Sequence, residues 1–259
     1  MIQTKKLWIL SALTLVAVIF VFFMHPIPQS LSFHHFADCR PGWGIPNIAN
    51  VISNLPFVFI GIHGLVLLKK SSVPKAVFYT YFILFTGVVL TGLGSAYYHS
   101  RPDNDSLVWD RIPMTIVFMA VLSATVAASI SRSLGARLLL PLVVLGVFSV
   151  IWWHYTEGTG RGDLRLFYLL QFYPMLMIPM VLALYYHPAR KPIALSLGWV
   201  VFWYAIAKIF EQLDKPFYVA LGVSGHTLKH LAAAVSTWHF VILFKQQYFF
   251  KFSDKAPNI

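Results

Sequence analysis

The residues with the most chemistry in their spacing are His226 and His230, four apart, and Ser95 and His99, also four apart. Residues at i and i+4 share one face of a helix. His226 and His230 can therefore turn both rings toward one ion, and Ser95 and His99 look the same way. Neutral imidazole is a good zinc ligand, and a catalytic zinc usually takes three protein ligands and leaves a fourth position for water. His99, His226 and His230 would supply the three. A water in the fourth position drops in pKa toward about 7 and becomes a nucleophile at ordinary pH. Asp110, eleven residues beyond His99, is a carboxylate suited to accept its proton. Ser95 can hydrogen-bond that water or the oxyanion formed when a carbonyl is attacked. Each residue also has a plainer use: Asp110 as a helix N-cap, Ser95 as a small packing residue beside Gly92 and Gly94, His99 as an interfacial residue at a helix end.

These residues need elements that bring them together, and the composition says what kind. The chain has 259 residues, 58% hydrophobic and 11% charged, with mean hydropathy +0.69. Soluble domains carry about 25% charge, and apolar runs of about 18 residues or more mark membrane-spanning helices. The reading is an all-α, polytopic transmembrane bundle with eight helices, near 7–24, 48–68, 76–99, 112–130, 136–154, 166–187, 193–213 and 226–244. The first run follows Lys5 and Lys6 and ends in His25-Pro26-Ile27-Pro28 with no small-residue cleavage pattern, so it reads as an uncleaved span rather than a signal peptide. The expected division is an N-terminal helix with its flank (1–30), a seven-helix core (31–245) and a basic cytoplasmic tail (246–259). Cys39 is the single cysteine, so no internal disulfide is possible.

Net charge is +11. In a soluble chain that would suggest nucleic acid; here the basic residues lie in short loops and set orientation instead, so no nucleic-acid partner is expected. One set of alternate loops holds twelve Lys and Arg residues, from Lys5 and Lys6 through Lys69, Lys70 and Lys75 to Lys251 and Lys255, against six on the other side. Cytoplasmic loops collect the positive charge. Both termini are then cytoplasmic, and His99, Asp110, His226 and His230 meet near the extracytoplasmic face.

Three further polar groups fall within spans. Asn50, Ser53 and Asn54 sit early in the second run, where an unpaired amide is costly. Their shared face should point into the bundle, as hydrogen-bonding glue or, less simply, as substrate contacts. Lys208 and Glu211 stand three apart and can pair with each other, and Lys229 between the two histidines is expected to snorkel to the interface. A lysine facing the cavity instead would orient an anionic headgroup or a product carboxylate. His63, His154, Glu157, Asp163 and His239 read as structural or loop residues.

The order Gly94-Ser95-x-x-x-His99, Asp110-x-x-Pro113-Met114, His226-x-x-x-His230 resembles the signature of the alkaline ceramidase family. That family belongs to a group of seven-helix membrane hydrolases that includes the progestin and adipoQ receptors. Asn50-x-x-Ser53-Asn54 is similar to the pattern in the family's first helix. The resemblance implies zinc on His99, His226 and His230, Ser95 and Asp110 as catalytic residues, and hydrolysis of the amide of a ceramide-like N-acyl lipid to a long-chain base and a fatty acid. The extra N-terminal helix departs from the family's seven. A second departure concerns calcium, which animal members bind through acidic residues near the N-terminus. Here that region reads Ala37-Asp38-Cys39-Arg40-Pro41-Gly42, and Asn47 stands where a later Glu is expected, so calcium is not expected. The rival readings are a receptor-like member with a non-catalytic zinc, and a metal transporter. Polar residues along a continuous path would favour the transporter; the ligands here cluster near one face.

Overall fold

The computed structural model describes residues 2–249. Its helices are α1 (Ile2–Phe23), α2 (Ile48–Ile52), α3 (Leu55–Lys69), α4 (Lys75–Ser100), α5 (Asn104–Ser129), α6 (Arg132–Gly158), α7 (Arg165–Leu184), α8 (Lys191–Gln212), α9 (Asp214–Leu221) and α10 (Gly225–Tyr248). Among the described residues eight helical spans are long and apolar enough to cross a membrane, with α2 and α3 forming one of them. This matches the expected integral, multi-pass helical bundle. Lys251 and Lys255, used in the charge count, lie outside the described residues.

Helix α5 is the most buried span and packs against α4, α6 and α7, while α10 packs on α8 and α3. α1 lies against α7, where Thr14 Oγ1 meets the Tyr173 hydroxyl at 2.6 Å. The core between α4, α5 and α10 is aromatic and branched aliphatic, including Tyr81, Phe85, Val88, Val121, Phe240 and Phe244.

Local chemistry explains where the helices break. The predicted start of the fourth span, at 112, was too late. Asp103 accepts from the Ser106 backbone N–H at 2.6 Å, and the Ser106 hydroxyl accepts from the Asp103 N–H. This capping box starts α5 at Asn104, so Asp110 stands inside the helix rather than in a loop or at its N-cap. The second predicted span is interrupted at Ser53-Asn54, ahead of Pro56, since proline is tolerated in a helix's first turn but not in its interior. The stretch after α8 holds a further short helix, α9.

Two features bring α4 against α5 beside the histidines. Pro113 lies within α5 and has no N–H to offer the carbonyl four residues back, that of Trp109. Gly94 of α4 packs on that carbonyl so closely that a methyl group there would overlap the oxygen. A side chain at position 94 would hold the two helices apart.

The segment before α2 is tied down by charge. Arg40 makes a two-pronged ion pair with Asp38 and donates to the Gly222 carbonyl. Asp163 is held in the same way by Arg165, which also donates to the Met24 carbonyl. In both cases the guanidinium's hydrogen bonds hold the carboxyl below the usual carboxylate range.

Gly94→Ala should cost about 1–3 kcal/mol by overpacking, whereas Gly158→Ala, with open space at its Cβ, should stay within about 0.5 kcal/mol; thermal unfolding in detergent checks both. The depressed pKa values of Asp38 and Asp163 mean that their contribution is complete above the unfolded carboxylate pKa, about 4. It is lost as pH falls through the lower folded values. Thermal stability should therefore decline at the acid end of a pH 7 to pH 3 series, and Asp38→Asn should flatten that decline.

Candidate metal centre

Three buried imidazoles meet where α4 ends and α10 begins. His99 Nε2 lies 3.2 Å from His230 Nε2 and 3.3 Å from His226 Nε2. Zinc binds imidazole at about 2.0–2.1 Å, which in a tetrahedral arrangement puts neighbouring nitrogens roughly 3.3–3.4 Å apart. The observed separations match that spacing, and the trio could hold a metal ion.

The tautomer of His230 follows from its neighbours. The Ser53 hydroxyl donates to the Asn50 carbonyl at 3.0 Å. It can then only accept at its 2.7 Å contact with His230 Nδ1. Nδ1 therefore carries the proton, and the Nε2 lone pair faces the other two histidines. This is the outer-shell arrangement that fixes a histidine for metal binding. A cation between the three rings would meet one nitrogen of each.

The polar face of α2 and its break support α10. Asn50 Oδ1 accepts from Thr227 Oγ1 at 2.7 Å, and Asn54 Nδ2 donates to the Asn50 carbonyl at 2.8 Å. Asn47 donates to the His99 carbonyl at 2.9 Å. Asn50, Ser53 and Asn54 thus act as hydrogen-bonding glue, of which only Asn54 also lines the cavity below the trio. Ser224 caps α10 through the Thr227 N–H.

Two contacts had no signal in the sequence reading. Phe36 places its ring edge-on to His99 and His226, with centroids 4.6 and 4.8 Å away. Asp214, the first residue of α9, accepts from the His226 N–H and from the Ala37 N–H, both at 2.9 Å. One carboxylate thereby pins the start of α10 and the segment carrying Phe36. An aromatic lid and a backbone-bonded carboxylate leave no periodic trace in the chain.

Ser95 and Asp110, buried at 3% and 7% exposure, line one cavity together with His230, and the Ser95 side chain lies against the Asp110 carboxylate. The cavity is narrow, about 100 Å3, and extends past Val121 and Phe240 into the apolar core. Lys208 pairs with Glu211 as expected, but Lys229 does not snorkel outward. Its Nζ lies 2.8 Å from Glu211 and 3.3 Å from His226 Nε2, and all three charged residues line the cavity. The remaining titratable residues lie apart: His154 pairs with Asp105, Glu157 accepts from Trp153 and Gln29, and His63 and His239 stack on Trp238 and Trp199.

Buried imidazoles, a carboxylate and an apolar cavity inside membrane-length helices define an intramembrane protein with a pocket that could hold a metal ion. The chain belongs to the ceramidase family, whose family model, described as Ceramidase, matches residues 44–254. No curated protein matches it. Membership makes this a hydrolase of the lipid-amide type, with a lipid such as ceramide as its substrate.

Removing the outer-shell hydroxyl should loosen the metal without unfolding the bundle. Ser53→Ala is expected to lower metal affinity roughly 10–100-fold, measured by competition with a chelator of known affinity.

Proposed function

We propose that the protein is a zinc-dependent amidase that cleaves the amide of ceramide-like N-acyl lipids inside the membrane, releasing a long-chain base and a fatty acid. The convergence of His99, His226 and His230 at tetrahedral spacing, beside Asp110 and Ser95 in one cavity, carries this reading. Zinc, when bound, supplies Lewis acidity and a water of lowered pKa.

The chain's own groups do the rest. Asp110 takes a proton from the attacking water as the oxygen adds to the acyl carbon, and returns a proton to the nitrogen as the C–N bond breaks. Ser95 gives its single O–H to the Asp110 carboxylate at rest and, once Asp110 has taken up the proton, to the oxygen that gains charge. The apolar run of the cavity holds the acyl chain. Phe36 closes the histidines off from bulk water, which strengthens every electrostatic contact within.

The excess of basic residues on the other loops puts the site at the extracytoplasmic face, with both termini cytoplasmic. Residues 31–245 form the catalytic core in this reading, and the first helix is an added anchor.

Fatty-acid release from a panel of N-acyl lipids, together with bound-metal analysis, tests the chemistry. Wild type should carry about one zinc per chain. Asp110→Asn should keep the metal and lose roughly 10²–10⁴-fold in rate, and His226→Ala should lose both metal and activity. Metal retained with no release from any lipid would favour a receptor-like role; no bound metal in folded wild type would remove the zinc reading. Orientation has a separate test. Cys39 is exposed and lies on the segment that covers the site. It should react with a membrane-impermeant maleimide in sealed right-side-out vesicles and be protected in inverted ones; the reverse pattern would overturn the assignment.

A further inference from the structure

Lys208, Glu211 and Lys229 form an ionic cluster that the hydrolytic reading does not use. Lys208 and Glu211 lie in the last two turns of α8, and Lys229 lies between two of the histidines on α10. Glu211 bonds both ammonium groups, one through each carboxylate oxygen. The cluster shares its cavity with Ser95, Asp110 and His230. Lys208 keeps 24% of its side-chain surface exposed against 16% for Lys229. It also lies over the Phe172 ring at 5.7 Å.

Intramembrane charges are expensive and tend to be matched. Here two cations share one carboxylate. The other acid in the cavity, Asp110, offsets the second ammonium group only until it takes up a proton in the proposed chemistry. A divalent ion held by the three neutral imidazoles would add further positive charge within the same space. The filled site therefore carries an excess of positive charge in an apolar cavity, and a neutral ceramide does nothing to balance it. A wholly apolar ligand slot needs no such cluster; a slot with few, placed polar groups uses them to orient and select its ligand.

We infer that Lys208 and Lys229 recognise an anionic group on the substrate, so that the preferred substrate is an N-acyl lipid whose amine half carries a carboxylate or a phosphate close to the amide. This deepens the amidase reading and rests on it. The acyl chain runs along the apolar part of the cavity and the amide lies by the histidines, Asp110 and Ser95. The anionic group then displaces part of Glu211's hold on the two lysines.

The test uses full-length, metal-loaded protein and three lipids with one acyl chain: a neutral ceramide, an N-acylglycine and a ceramide phosphate. Ketomethylene analogues of each serve for equilibrium binding. One or both anionic lipids should exceed the neutral one by about tenfold or more, chiefly in KM and in analogue binding. The stronger of the two identifies carboxylate or phosphate. Lys208→Met, which leaves the Lys229–Glu211 pair intact, should bring that ratio close to one, and Lys208→Arg should keep it. Metal content of each variant reports on its fold. Equal binding of anionic and neutral analogues by wild type, or an anionic preference unchanged in Lys208→Met, would overturn the inference. No turnover of any lipid with metal bound would instead sink the amidase reading, while analogue binding still decides the anionic preference.

Discussion

Three buried imidazoles, with His99 Nε2 held 3.2 and 3.3 Å from the Nε2 atoms of His230 and His226, are the constraint on which the rest of this structure turns. Hydrogen bonds from the surrounding framework hold the rings in this arrangement. The outer shell does this with three polar side chains. Ser53 fixes the proton of one ring, Asn47 holds the backbone of the second, and Asp214 holds the backbone of the third. The break between α2 and α3 is part of the same device, since it places Ser53 and Asn54 against His230.

The approach of α4 and α5 solves a second positioning problem. Proline in α5 leaves a carbonyl without its helical donor, and glycine in α4 lets another backbone lie on it. The pair acts as a register pin. It puts Ser95 and Asp110 side by side on neighbouring helices, within the cavity that reaches the metal ligands. Glycine and proline, which weaken single helices, here determine how two helices meet.

Much of this was legible from residue types at helical spacing. The i,i+4 pairs and the charge bias of the loops indicated that His99, His226 and His230 would meet, and the cost of buried amides indicated that Asn50 and Asn54 would face inward. Asp110 was assigned to the right site but the wrong local structure, because the polar opening Asn104-Asp105-Ser106 hides the helix start from a hydropathy reading. Lys229 was misread because its partner, Glu211, is on another helix and invisible to local spacing. Phe36 and Asp214 were missed for the same reason: edge-on aromatic contact and bonds to backbone N–H groups arise only once distant segments pack.

Phe36 has a consequence for how the molecule is divided. All three histidines, with Ser95 and Asp110, fall within the stretch shared with the family, residues 44–254. Phe36 and the Asp38–Arg40 pair that braces its segment lie before it. The histidines and the ring that shields them are therefore carried by separate lengths of chain, tied together by Asp214 and by the Arg40 bond to the Gly222 carbonyl. Changes in the leading segment can retune the polarity around the three histidines, and the access of water to them, without altering any of the three.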